Sequence, residues 1–537
     1  MNANTATPST KLSAERALAA ALALGLAWPM LATVVAGVGL GARAGGLPFA
    51  LSLALAALPL ALLWHPLARR LPAQWDGRRR GHGLAFALLA LAALLAIARL
   101  LGVALYMADA GQPQYSAFWF DPFYIGHSCY SAYWQAAELA REGAANLYDV
   151  ALYTGSVDHF KLDEFMYLPQ FVLLPELGLL LGGDFYSLRA VWFGVEAAIV
   201  LAGLWALAAY IGQGAGRRAW LLMPLVMVSS PIVVTLQVGN FQLAAISLSV
   251  LAMIQFERGR NVAGGAMLGF AIFKLFPGLL GIYLLATKRW RAAIWTFAFS
   301  VLYSLVALAW FGKAPFEAFL HYQAPRIASG DAWAFLEIPG LEWVSALNQS
   351  VPGAVLKAKA LGIDGMTRAV MGAVSWVWTA LAIALTLVAA ARNASMTRLE
   401  RAAVWVAVLG LATMRSPFLP DHSGLIAPMW LWSLIAAAAL PSARNLVLLA
   451  LAWLACTAVM PVGGVELPEL HARILLASAI QAVALGLCVW AVLRKPRALR
   501  AGAGKGAGGW SNDDSAAAAA AGKESFFLNT KVVSDAA

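Results

Sequence analysis

Charge is scarce in this chain. Of its 537 residues only 12% are Asp, Glu, Lys or Arg, about half the ~25% of a soluble globular protein, whereas 61% are hydrophobic. So few charges cannot cover a water-facing surface, which excludes a soluble domain and leaves an integral membrane protein. Cysteine is scarcer still. Cys129, Cys456 and Cys488 stand far apart, without the paired spacing of a zinc site or a disulfide framework, and the last two lie in apolar runs where a thiol behaves as a small hydrophobe. No Asp-x-Asp or His-rich tract occurs in the polar segments between the apolar runs; Asp513-Asp514, in the tail, reads as a solvated pair. No obligatory metal and no cofactor is therefore expected. Internal repeats are also missing.

The basic excess, 38 Lys and Arg against 27 Asp and Glu, gives a net charge of +11. In a membrane protein such residues gather on the cytoplasmic flanks of the helices, so nucleic acid is not an expected partner. The apolar run after Lys11 and Arg16 reaches about Leu40, well past the about 7–15-residue core of a signal peptide, and reads as a retained first transmembrane helix. A crossing needs roughly 20 apolar residues. About fourteen segments are candidates: 17–41, 46–67, 84–106, 167–183, 188–211, 219–236, 240–256, 262–287, 292–311, 369–391, 402–414, 424–440, 445–460 and 474–493.

Arg69, Arg70, Arg78, Arg79 and Arg80 put the loop after the second helix, and with it the N-terminus, in the cytoplasm. Residues 108–166 are then outside, and they carry Asp109, Asp121, Glu138, Glu142, Asp149, Asp158, Asp163 and Glu164 against only Arg141 and Lys161. Five segments separate this loop from Lys288-Arg289-Trp290-Arg291, which belongs inside. If all five cross, Arg217-Arg218 and Arg258/Arg260 fall outside. A second arrangement keeps the parity and moves both pairs inside. In it, 167–183, broken by Pro169 and Pro175, stays at the outer face, and 262–287, broken at Lys274-Leu-Phe-Pro277, enters and returns as two half-helices. Irregular backbone at membrane depth is tolerated where it lines a cavity. The second arrangement is preferred, and it sets Gln237-Val-Gly239-Asn240 beside the acidic loop. Further along, 312–367, 415–423 and 461–472 are outside, while 392–401, Arg444 and 494–500, and so the C-terminus, are inside.

The polar residues thus collect in a long first outer loop and a second one, which is the plan of a multi-pass plasma (inner) membrane enzyme with an extracytoplasmic site. Within the first loop, Tyr130, Tyr133, Trp134, Ala137 and Ala140 recur at helical spacing. That pattern fits an interfacial amphipathic helix, either a membrane anchor or a platform for a lipid-linked substrate. An intramembrane Lys is expensive enough to be a functional candidate by default, which singles out Lys274. Arg99 in the third helix, which could instead snorkel, and Arg415, which could instead pair with Asp421, are further candidate anion contacts. Tyr167, Gln237, Asn240, Asn348, Gln349 and His422 are ring, amide or imidazole groups suited to a polar ligand; turn and cap chemistry is the competing use for Asn240 and Ser350.

Several of these stretches resemble glycosyltransferase family 87, polyprenyl-phosphate-sugar-dependent membrane enzymes of the GT-C fold. The resemblance rests on Tyr133-Trp134 followed by Ala-Ala, Gly143 and Leu147-Tyr148-Asp149; on Phe165-Met-Tyr167-Leu-Pro169; on Gln237-Val-Gly239-Asn240; on Ala263-Gly-Gly-Ala-Met-Leu-Gly269 with Lys274-Leu-Phe-Pro277; on Lys288-Arg-Trp-Arg291; on Asn348-Gln349-Ser350; and on Ser416-Pro417 with Asp421-His422. They occur in family order over roughly residues 85–440. Where the family usually carries an Asp, four residues before the aromatic pair, this chain has Cys129. The general base is therefore sought in Asp121, then His127, then Glu164 or Asp163, since an attacking sugar hydroxyl must lose its proton. One base and a phosphate leaving group imply inversion by single displacement.

The resemblance implies an all-α, GT-C-like polytopic fold with about 12–14 transmembrane segments. The expected divisions are 1–83, two N-terminal helices and a basic cytoplasmic loop; 84–311, a core with outer loop 108–166; 312–367, a second outer loop; 368–500, C-terminal transmembrane helices; and 501–537, a disordered Gly/Ala/Ser-rich tail. The implied activity moves a hexose such as mannose from a polyprenyl-phosphate donor to an extracytoplasmic glycan or glycolipid. A transporter or flippase of a lipid-linked sugar and a non-catalytic relative are the alternatives. The absent repeat counts against a transporter built from repeated halves.

Overall fold

Apolar stretches that must satisfy their own backbone groups in lipid can do so as helices, and helices dominate a computed structural model of the protein. It describes residues 14–40, 46–71, 83–440, 445–459 and 467–496. The tail 501–537, with Asp513-Asp514, and Arg78–Arg80 lie outside the described residues. The long helices are α1 (Ala14–Val35), α2 (Gly46–Arg70), α3 (Gly83–Ala108), the loop helix α4 (Tyr130–Arg141), α5 (Phe185–Ile211), α6 (Ser230–Val238), α7 (Gln242–Glu257), α8 (Asn261–Ala271), α9 (Gly278–Ala286), α10 (Trp290–Phe311), α11 (Arg368–Ala391), α12 (Arg398–Thr413), α13 (Ile426–Ala439) and α14 (Leu467–Leu493). Among the described residues strand is confined to a hairpin of two two-residue strands, pairing Ser156 with Lys161 and Val157 with Phe160.

The protein is an all-α polytopic membrane protein. Among the described residues eight helices are long and apolar enough to cross a bilayer, or nine if Gly214–Met227 and Ser230–Val238, bent by 59°, form one broken span. That is fewer than the segments marked in the sequence. The difference lies in apolar stretches that fold as short helices of 10–17 residues, Pro169–Leu180, Gln242–Glu257, Asn261–Lys274 and Leu446–Thr457, and in α12, whose first turn carries Arg398, Glu400 and Arg401. Hydropathy registers an apolar run without registering where the helix breaks.

The segment 258–288 is one such case. Glu257 at the end of α7 pairs with Arg289, just before α10, and with Arg401 of α12 at 2.5 Å. Its two ends therefore meet at one end of the molecule. Between them α8 and α9 hold 11 and 9 residues, about 16 and 14 Å of helix at about 1.5 Å per residue, each about half of a ~30 Å hydrocarbon core. The chain runs out through one short helix, turns at Lys274–Pro277 and runs back through another. Leu275 at the turn takes φ +66°, a conformation few side chains adopt.

Close packing holds this hairpin. A Cβ on Gly265 would lie 2.6 Å from that of Trp295, and one on Gly269 2.8 Å from the Thr296 carbonyl. The two glycines are four residues apart on one face of α8, so α10 approaches backbone to backbone. Ser300 Oγ then donates to the Gly269 carbonyl at 3.1 Å. The other side of α10 is open, with Ile294, Phe297 and Leu305 exposed, as suits a lipid-facing wall.

Candidate active site

Loops 109–166, 312–367 and 415–423 meet one another. Val150 N donates to Tyr322 Oη at 3.4 Å, Arg326 pairs with Glu164 at 3.3 Å, and Gln349 N donates to the Leu419 carbonyl at 2.8 Å. The α8–α9 turn delivers Lys274 to this assembly. Its ammonium donates to Tyr167 Oη at 2.7 Å and Asn240 Oδ1 at 3.0 Å, and lies 4.4 Å from the Tyr167 ring centroid. Glu196 of α5 faces Lys274 closely enough to interact with its charge.

Each partner is fixed by local structure. Gly239, at φ +70°, closes α6 in the left-handed conformation that glycine tolerates, and Trp192 Nε1 donates to its carbonyl at 3.1 Å. Asn240 follows directly, and its Oδ1 also accepts from Gln242 N at 3.0 Å at the start of α7. Tyr167 Oη meets Tyr133 Oη at 2.9 Å, and that hydroxyl accepts from Phe241 N at 3.3 Å. Helix α4 thus turns its aromatic stripe inward: Tyr130 and Tyr133 are buried against Phe171, Phe185 and Trp192.

From Asn240 a polar chain leads into the first outer loop. Asn240 Nδ2 donates to Cys129 Sγ at 3.6 Å, Sγ lies 3.7 Å from His127 Nε2, and Nε2 lies 3.6 Å from Asp163 Oδ2. His127 and Cys129, two residues apart, bring Nε2 and Sγ together within one stretch of the loop. Asp163 arrives from the short hairpin. Ser131 Oγ pins it by donating to the Ser128 and Lys161 carbonyls, 2.7 and 2.8 Å, and accepting from Asp163 N at 3.2 Å. Burial raises the affinity of the Asp163 carboxyl for a proton, against the opposite pull of His127 and Lys161. Burial likewise pushes the Cys129 thiol well above its usual range. A cation held by neutral side chains, a proton-accepting carboxylate and an imidazole therefore converge where the sequence has Cys in place of Asp.

The structure brings together His127, Tyr167, Asn240 and Lys274 of the sequence-expected site. His422 is close by: its ring packs edge-on against Tyr124, centroids 6.2 Å apart, and both ring nitrogens are buried without a hydrogen-bond partner. The other candidates have different surroundings. Asp121, ranked first as the base, accepts from Phe123 N at 3.0 Å and caps Pro122–Gly126. Glu164 is turned to Arg326. Gln237 is saturated, its Oε1 accepting from Ala117 N and Ser116 Oγ and its Nε2 donating to Ser116 Oγ and the Tyr124 carbonyl, which ties α6 to the outer loop. Asn348 joins the Ser350 and Leu419 amides to the Pro417 carbonyl, and buried Gln349 extends the same junction. Arg415 donates to Thr379 Oγ1 at 2.7 Å over the Trp376 ring. Arg99 reaches the Ala117 carbonyl at 3.3 Å.

Sequence reasoning ranked Asp163 last among the bases and treated Cys129 only as a loss. Asp163 lies 34 residues beyond Cys129, and the hairpin that carries it there is too short to leave a periodic signal. Arg189 of α5 was also missed. It is buried with its guanidinium over the Tyr106 and Phe160 rings, 4.9 and 4.5 Å from their centroids.

Fold and site together define a helical membrane protein whose loops and one hairpin turn set the Lys274 ammonium near an imidazole and a carboxyl group. Residues 165–417 match the model of glycosyltransferase family 87. The match is consistent with that family and supports a membrane glycosyltransferase in general, an enzyme class that takes a sugar donor and an acceptor. Tyr167, Asn240 and Lys274 fall inside the matched region; His127, Cys129 and Asp163 precede it. No curated protein and no solved structure matches the chain.

Proposed function

We propose that the protein transfers a hexose, mannose in our reading, from a polyprenyl-phosphate donor to a glycan or glycolipid at the outer face of the plasma membrane. The observation that carries this is the placement of Lys274 at the tip of a re-entrant hairpin, joined through Asn240 and Cys129 to His127 and Asp163. The donor phosphate sits against Lys274, whose third N–H is not used by Tyr167 or Asn240. The acceptor hydroxyl gives its proton to the Asp163–His127 pair as its oxygen attacks C1 from the face opposite the phosphate. The C1–O(phosphate) bond breaks, its electrons leave with the phosphate, and the anomeric configuration inverts. Tyr167 and His422 border the sugar. Because Asp121 is a helix cap and Glu164 an ion-pair partner, Asp163 takes precedence over both as the base.

The basic groups around Glu257 face the cytoplasm in this reading, in line with the tendency of Lys and Arg to remain inside, and both termini lie on that side. The test is reconstitution in liposomes with radiolabelled polyprenyl-phosphate mannose and candidate acceptors. Transfer of label without an ion gradient is expected. Movement of the labelled lipid across the bilayer without transfer would instead identify a flippase.

A further inference from the structure

We propose that His127 Nε2, Cys129 Sγ and Asp163 Oδ2 form a binding site for a divalent transition metal ion, zinc by ligand type, with one coordination position left open. The three atoms all lie within 4.8 Å of one another, with Nε2–Sγ at 3.7 Å and Nε2–Oδ2 at 3.6 Å. Around tetrahedral zinc, bonds of about 2.3 Å to sulfur and about 2.0–2.1 Å to nitrogen or oxygen put neighbouring ligand atoms roughly 3.3–3.6 Å apart. The side chains therefore stand nearly at coordination spacing before any ion enters. A thiolate, an imidazole and a carboxylate suit zinc better than the all-oxygen sites of magnesium or calcium.

The surroundings fit the same occupant. Asn240 Nδ2 donates to the sulfur, the kind of outer contact that orients a metal ligand. Ser131 fixes the backbone on both sides, through Ser128 and Asp163, and Phe123 stacks on the His127 ring with centroids 4.6 Å apart. Charge balances as well: thiolate and carboxylate neutralise a divalent ion, so the nearby Lys274 ammonium faces no uncompensated cation. Three protein ligands with an open fourth position are the arrangement of catalytic rather than structural zinc sites. Resting on the transferase reading, the open position would take the acceptor hydroxyl. The ion would acidify that hydroxyl as it does bound water, and the proton would pass to the Asp163 oxygen that does not bind metal.

Cobalt replaces zinc in such sites and reports thiolate ligation by a near-ultraviolet charge-transfer band. Chelator-stripped, detergent-purified full-length protein is titrated with cobalt chloride, beside Cys129→Ser and Asp163→Asn variants shown by gel filtration to be monodisperse. The expected result is saturation at one equivalent with a band lost in Cys129→Ser, at least tenfold weaker binding in Asp163→Asn, and displacement of cobalt by zinc. Native protein without the band, or a Cys129→Ser variant that keeps it through Cys456 or Cys488, overturns the site and leaves the transferase reading untouched. Conversely, the band without transfer from any polyprenyl-phosphate hexose supports the site while refuting that reading.

Discussion

Replacing Lys274 by Met tests the reading at its centre. The native ammonium uses two donors on Tyr167 and Asn240, and both partners keep another contact in the variant: Asn240 Oδ1 still accepts from Gln242 N, and Tyr167 Oη still meets Tyr133 Oη. Met fills much of the volume of the Lys stem, so the fold should survive. The catalytic loss is larger. A donor phosphodiester carries one negative charge, and the departing phosphate gains a second as the C1–O bond breaks, so the ammonium interacts more strongly with the transition state than with the ground state. Deleting one preorganised donor to a developing oxyanion lowers the rate by about 10²–10³-fold, or roughly 2.7–4 kcal/mol. Steady-state transfer from labelled polyprenyl-phosphate mannose should show that loss mainly in kcat, with part of it restored in Lys274→Arg. A monodisperse Lys274→Met protein with native kcat would refute the assignment of the phosphate to this residue.

Asp163→Asn should abolish transfer while Asp121→Asn keeps it, losing about 1 kcal/mol of stability or less from a weakened helix cap; a native rate in the first or a dead enzyme in the second would reverse the two roles. Gly265→Leu drives a side chain into Trp295 and should lower stability by about 1–3 kcal/mol, the usual penalty of overpacking, read as a lower midpoint in thermal unfolding. Lys357 is buried against Gln481 Oε1 at 2.8 Å with its pKa lowered to about 8 from 10.5. Folded protein therefore binds that proton less readily than unfolded chain, and native stability rises between about pH 8 and 10.5. Lys357→Met should be more stable than native below pH 8, by up to about 3 kcal/mol at about 1.36 per pKa unit, with the difference vanishing at high pH.

The parts of this fold legible in the sequence are those set by short-range pattern. The break at Lys274-Leu-Phe-Pro277 pointed to a pair of short helices, and the Glu257–Arg289 contact brings the far ends of that pair together. The cost of an intramembrane ammonium singled out Lys274, and glycine chemistry placed Asn240 beyond the end of α6. What could not be read was pairing across loops. Gln237 and Asn348 offer the same amide to a sugar or to a backbone, and only their folded partners, Ala117 N and Tyr124 O for one and Leu419 N and Pro417 O for the other, show that both are committed to tying loops together. Cys129 illustrates the same limit from the opposite side. In one dimension it is a missing carboxylate; in three, Asp163 brings a carboxylate alongside it from a separate stretch of the loop, clamped by Ser131. In the proposed reaction the requirement for a base is met at the same place in space by a different place in the chain. A substitution at a catalytic position therefore says little about activity until the side chains converging on it from elsewhere are known.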